Sequence, residues 1–271
     1  MEIFWIKLTK LTNKDFYAEM RNPTKQSLIF TPNPEILLAW KNDPAFKKIL
    51  NGWDYLIPDW IGIYAGFQIM DNKLPKIVNF LMIPFYWLNL FIKRKALYAK
   101  YWERICGSDF TKEIVNYANE KKLWITIIDK YQAPGNRWDN LKIERQKTLV
   151  PDLKSRFPDA EFHMHIYTGS NEEEIIEEIN KTQDVYLFSS QGLKDQEITI
   201  SSMMPKLKNI KVASGIGWSF DLVTWFKKRA PKIFVRLWLE WLWRLFLDPQ
   251  RMIKRIWRAI FVFLWEVVKS R

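Results

Sequence analysis

Six short apolar runs punctuate the first 215 residues: SLIF (27–30), DYLI (54–57), WITIID (124–129), AEFHMHI (160–166), VYLFS (185–189) and IKVAS (210–214). Their length suits a strand and is too short for a core helix. Helical patterns lie between them. In NPEILLAWKND (33–43), Asn33 is placed to cap and Pro34 to take the first turn. In SNEEEIIEEINK (170–181), acidic residues crowd the positive end of the helix dipole. Strands alternating with helices form parallel sheets, because each crossover needs a returning segment that a helix supplies. The expectation is an α/β fold with a Rossmann-like, mainly parallel sheet flanked by helices. Of 271 residues 48 % are apolar, which is enough to bury a core of that kind.

Two segments break the alternation. Residues 73–100, KLPKIVNFLMIPFYWLNLFIKRKALYAK, are apolar in the middle and basic at both ends, the pattern of an interfacial element inserted into the domain. The other is the stretch from Trp225 onward. It holds twelve basic against three acidic residues, and so carries +9 of the net +12, together with six of the fifteen tryptophans. Positive potential joined to amphipathic rings points to an anionic surface. Arg236, Glu240 and Arg244 recur every four residues and predict one polar stripe on a helix; Pro249 starts a second helix, with Arg251, Lys254, Arg255 and Arg258 opposite Ile253, Ile256, Trp257, Ile260 and Phe261. The expected organisation is a catalytic domain over 1–224 with the insertion 73–100, and a helical, membrane-binding appendage over 225–271. No apolar run reaches the roughly 20 residues of a spanning helix. With no export signal at MEIFWIKLTK and a single cysteine, Cys106, the expected location is cytoplasmic, peripheral on the inner face of the membrane. A basic aromatic tail also suits nucleic acid, but the run AIFVFLW offers nothing to a solvated polyanion.

In open α/β sheets, ligands collect where loops follow the carboxyl ends of strands. Four such loops are polar: TPNPE (31–35), PDWIG (58–62), SQGLKDQE (190–197) and SGIGWSFD (214–221). Singly, each has a structural explanation: Thr31 and Asn33 as turn or cap residues, Asp59 as an N-cap, the glycines as turns. His163 and His165 share one strand face without a third ligand, and Cys106 lacks a histidine partner in sequence terms, so neither a zinc site nor a cysteine nucleophile is expected. No Asp-x-Asp occurs, and a metal-independent reaction is expected.

Taken in order, these loops resemble the WecG/TagA/CpsF glycosyltransferase family (glycosyltransferase family 26). TPNPE is similar to its T-x-N-x-E, PDWIG to its Pro-Asp-Gly-x-Gly, and ERICGSD (103–109) to its Glu-Arg-x-x-Gly-x-Asp. GLKDQE (192–197) looks like its G-x-P-K-Q-E, GIGWSFD (215–221) like its glycine-rich segment ending in Phe-Asp, and RAPKIFVRLWLEWLWRLFLDPQR (229–251) like its closing motif. The resemblance implies transfer of an N-acetylhexosamine-type sugar, such as N-acetylmannosamine or its uronic acid. The donor would be a UDP-sugar, the acceptor a polyprenyl-diphosphate-linked sugar, with inversion, in cell-surface polysaccharide or teichoic-acid-type synthesis. It also implies roles. Asp59 is the general base and Arg104 neutralises charge on the diphosphate; Thr31, Asn33, Gln196, Glu197, Gly215, Gly217 and Asp221 line the substrate site. Arg229, Arg236, Arg244 and Arg251 meet the diphosphate or the membrane. No cofactor is implied beyond the donor substrate. Three positions depart from the pattern: Trp60 stands where the family has glycine, and Lys194 and Asp195 replace proline and lysine before Gln196. The rival expectations are a catalytically weak membrane-bound scaffold of the same pathway and a basic nucleic-acid binder.

Overall fold

The computed structural model describes residues 2–4, 6–9, 11–101, 104–227, 230–236 and 239–271; the side chains of Glu2, Ile6, Lys7, Lys232, Arg236 and Arg251 lie outside the description. After a two-stranded N-terminal hairpin, β1 (Glu2–Ile3) with β2 (Ile6–Lys7), all six predicted runs supply strands of one sheet. They are β3 (Ser27–Phe30), β4 (Tyr55–Leu56), β5 (Trp124–Lys130), β6 (Glu161–Tyr167), β7 (Asp184–Ser189) and β8 (Val212–Gly215). The order is β4-β3-β8-β7-β5-β6 and every pairing is parallel.

Both faces are covered, as a parallel sheet requires. Side chains alternate between two apolar layers: Phe30, Ile128, Leu187 and Ala213 point to one, and Ile29, Ile127, Phe188 and Val212 to the other. Helix Pro34–Lys41 forms as its sequence predicts, with Pro34 in the first turn and the Asn33 side chain accepting from the Ile36 N–H at 3.1 Å. Helices Gly107–Lys121 and Arg137–Arg156 lie on the Ile29 side, and helices Gly62–Asp71 and Asp195–Met203 on the Phe30 side. Because all six strands point the same way, the loops after β3, β4, β7 and β8 emerge at one edge.

The insertion forms helices Lys76–Leu81, Ile83–Ile92 and Arg94–Tyr101. The tail differs from its expected single stripe. It is broken into Lys232–Arg236 and Glu240–Leu247, and the Leu239 N–H closes the first piece by donating to the Phe234 carbonyl at 2.7 Å. Only the Glu240–Arg244 half of the stripe therefore shares one helix, with the pair 3.9 Å apart. Helix Pro249–Trp257 begins where Pro249 predicts, and continues through a π-helical turn, Arg258–Val262, into helix Phe263–Ser270. Phe263, Leu264, Val267 and Val268 are buried in the same layer as Ile63 and Phe67. Among the described residues, no helix is long and apolar enough to cross a membrane.

Candidate active site

At the carboxyl edge of the sheet a cavity of about 110 Å³ has Asn33, Asp59, Arg104 and Cys106 on one side and Glu240, Trp241, Arg244, Met252 and Arg255 on the other. The first group comes from loops of the α/β body and the second from the tail, which folds over the opening. An ion pair fastens the two walls: the Arg255 guanidinium lies 2.8 Å from the Glu35 carboxylate and also donates to it through Nε at 2.9 Å.

Asp59 is half-buried. Its carboxylate accepts from the Gly107 N–H at 3.1 Å, at the start of helix Gly107–Lys121, so a positive helix end holds it in place. Gly107 is required there: a Cβ would come within 2.9 Å of Thr31 Oγ1 and 4.0 Å of Ser219 Oγ. Three loops, after β3, β4 and β8, thus converge on one backbone amide. Arg104 donates to the Asp59 carbonyl at 3.1 Å. Burial alone would lower the proton affinity of this guanidinium, but Cys106, Asp59, Tyr98 and Glu240 outweigh it and raise it. The Cys106 thiol is pushed up to about 12, first by burial and then by Asp59, so it stays protonated and is no nucleophile at neutral pH.

Gln196 and the glycines after β8 form a second cluster. Gln196 Oε1 accepts from the Gly217 N–H at 3.1 Å, and its Nε2 donates to Glu197. A Cβ on Gly215 would meet Gln196 Nε2 at 2.7 Å, so this glycine makes room for the amide. Glu197, expected to line the substrate site, is fully buried and accepts from the Lys194 N–H at 2.8 Å as well as from Gln196. Burial pushes its carboxyl up to about 7, with the hydrogen bonds pulling partly the other way. It positions Gln196, which is itself buried and does not line the cavity.

Asp221, expected at the same site, is likewise engaged within the protein. It is buried and held by Arg145 Nε at 2.9 Å and Lys227 Nζ at 2.8 Å, so it anchors the β8 loop to helix Arg137–Arg156 and does not face the cavity. Asn33 does both jobs open to it, capping its helix and lining the cavity. Of the four tail arginines expected at the diphosphate or membrane, Arg244 reaches the cavity; Arg229 lies outside the described residues, as do the side chains of Arg236 and Arg251. The two strand histidines are taken up by carboxylates, His163 by Asp184 and His165 by Glu178, each at 3.0 Å.

Sequence reasoning missed Glu35, Gly107, Glu240, Trp241 and Arg255 as parts of the site. The first four sat inside the quoted motifs, and Arg255 on a helix expected to face the membrane. Trp241 contributes an indole N–H with no hydrogen-bond partner among the described residues. The three departures are also explained. The Trp60 ring lies over Gly62, where a Cβ would fall 1.7 Å from it, and meets Trp87 of the insertion edge-on at 5.5 Å. Lys194 has φ +71, which proline cannot adopt, and pairs with Asp43 at 2.7 Å; Asp195 pairs with Lys130 at 2.6 Å.

Comparison with known proteins places the whole chain in one family. The profile of the glycosyl transferase WecG/TagA/CpsF family matches residues 1–94 and 88–271. A relative from Staphylococcus aureus (strain MRSA252), named N-acetylglucosaminyldiphosphoundecaprenol N-acetyl-beta-D-mannosaminyltransferase, is 23 % identical over 259 residues, covering 95 % of this chain and 85 % of the relative. One of the same name from Bacillus subtilis (strain 168) is 26 % identical over 229 residues, covering 83 % and 73 %.

Proposed function

The chain belongs to the WecG/TagA/CpsF glycosyltransferase family, and from that premise we propose that it transfers an N-acetylmannosamine-type sugar from a UDP donor to a sugar carried on a polyprenyl diphosphate. The relatives' names supply the acceptor class and the sugar. The observation that carries the proposal is the carboxylate of Asp59, fixed by a backbone amide on one wall of a cavity whose other wall is the cationic tail.

Asp59 takes the proton of the acceptor hydroxyl as its oxygen attacks the anomeric carbon. The bond from that carbon to the donor phosphate breaks in the same step, UDP leaves with the electron pair, and the anomeric configuration inverts. Arg104 and Arg244, reaching the cavity from opposite walls, offer positive charge to the diphosphates. The nucleotide half of the donor lies toward the crevice between β5 and β7, where the chain leaves adjacent strands in opposite directions.

A polyprenyl chain stays in the bilayer, since each buried methylene is worth about 0.8 kcal/mol, so the enzyme works at the cytoplasmic surface. The tail serves that contact. The pathway is cell-surface polysaccharide or wall-polymer synthesis. The test incubates the protein with a panel of UDP-sugars and a short-chain polyprenyl diphosphate carrying N-acetylglucosamine. Mass and anomeric configuration of the product are read. One added N-acetylhexosamine with inverted configuration supports the proposal; retention, or no product with any donor in the presence of vesicles, contradicts it.

A further inference from the structure

The inserted helices carry an apolar face that none of the described residues covers. In helix Ile83–Ile92, Ile83, Tyr86 and Leu90 are spaced i, i+3, i+7 and buried against the body. Gln68 Nε2 donates to the Tyr86 carbonyl and Asn89 Nδ2 to Gln68 Oε1, both at 3.2 Å, which fixes the helix's rotation. The opposite stripe, Phe85, Leu88 and Ile92, is 57, 53 and 68 % exposed, and helix Lys76–Leu81 adds Ile77 at 73 % and Leu81 at 67 %. Single exposed apolar side chains are ordinary, whereas a contiguous group of five marks an interaction surface.

The chemistry of the partner follows from what surrounds the face. Residues 73–100 contain six Lys or Arg and no Asp or Glu. Lys73 and Lys76 flank one end of the apolar run, and Lys93, Arg94 and Lys95 the other. An apolar centre with cations at both of its ends matches the headgroup and acyl boundary of an anionic bilayer. It does not match a second copy of itself, whose cations would repel.

The face is also continuous with the tail. The Phe80 ring packs edge-on against Trp265 at 5.0 Å, Lys76 Nζ donates to the Lys269 carbonyl at 2.9 Å, and Arg271 Nη1 donates to the Leu74 carbonyl at 2.8 Å. On the tail side Ile253, Trp257, Phe261 and Trp265 are all exposed and recur every four residues. In a plain α-helix a four-residue step drifts by about 40° around the axis. The wider π turn at Arg258–Val262 drifts the other way and keeps the four in line.

We propose that helices Lys76–Leu81 and Ile83–Ile92 are a second bilayer-embedding element, which with the tail stripe forms one lipid-facing surface. The Trp60–Trp87 contact then fixes the height of the Asp59 loop above the lipid. The inference deepens the proposed function by assigning the insertion to its membrane contact, but its binding test needs no substrate.

The experiment measures partitioning of the full chain onto vesicles of 30 mol % phosphatidylglycerol in phosphatidylcholine. It compares wild type with Leu88→Glu/Ile92→Glu and with Lys93→Gln/Lys95→Gln, and adds sedimentation velocity without lipid. The first variant, altered only at exposed positions, is expected to lose at least tenfold in partitioning, the second several-fold. Turnover of a water-soluble short-chain acceptor should stay within twofold in both. Unchanged partitioning of both variants overturns the proposal, as does a wild-type dimer that Leu88→Glu/Ile92→Glu converts to monomer. Failure of transfer with every donor, beside the expected partitioning, would overturn the proposed function and leave this inference standing.

Discussion

Asp59 and Glu197 stand at the same edge of the same sheet, Asp59 in the loop after β4 and Glu197 in the first turn of the helix after β7, and each accepts a backbone N–H. Their surroundings separate them. Asp59 is half-buried and looks into the cavity, while Glu197 is fully buried and looks at Gln196. One carboxyl lines the cavity, and the other holds the residue beside it. Residue type and motif position do not distinguish the two roles; burial and the direction of the hydrogen bonds do.

Titration sharpens the contrast. Glu197 ordinarily titrates near 4.5 and in the folded chain near 7, because burial disfavours its charge. Between those values the folded state holds more proton than the unfolded state. Its contribution to stability is therefore full below about pH 4.5 and falls as pH rises through 7, by roughly 3 kcal/mol in all. Glu197→Gln cannot titrate, and its unfolding free energy should lack this slope. Urea unfolding of both proteins from pH 4.5 to 8 checks it. Parallel curves would remove the distinction drawn between the two carboxyls.

A smaller effect is expected on the Asp59 side. Gly62→Ala puts a methyl where the Trp60 ring lies and must displace that ring, which adjoins Asp59 in the same loop. Turnover should fall about tenfold, since small misplacements at a reacting centre are costly. Trp60→Gly in the same chain should restore it, because the ring that collides is gone. A turnover loss in Gly62→Ala that Trp60→Gly leaves in place would show that the two positions are uncoupled.

The smallest effect belongs to the clamp between the cavity walls. Glu35 and Arg255 are both partly exposed, so Glu35→Gln should cost at most about 1 kcal/mol of stability. Its mark should be on binding, as a several-fold rise in KM for the donor with kcat little changed. Equal changes in both would place the pair in the reaction itself.

The sheet was legible in the sequence because its strands are local: each is a short apolar run, and alternation with helices dictates parallel pairing. The Asn33 cap was legible for the same reason, being settled within three residues. What escaped depends on partners far along the chain. Asp221 lies in a motif yet is claimed by Arg145, 76 residues away, and Glu35 by Arg255, 220 residues away. The non-helical Leu239 escaped because it is neither a glycine nor a proline. Trp60 has no local reason to replace the family's glycine; its ring packs on Trp87 of the insertion, 27 residues along the chain.

The most direct test of Asp59 as the base measures UDP binding and single-turnover transfer on one preparation of Asp59→Asn, beside wild type and with matched unfolding midpoints. The account predicts UDP affinity within a few-fold of wild type and transfer slowed by about 10² to 10⁴. Transfer at the wild-type rate would contradict it.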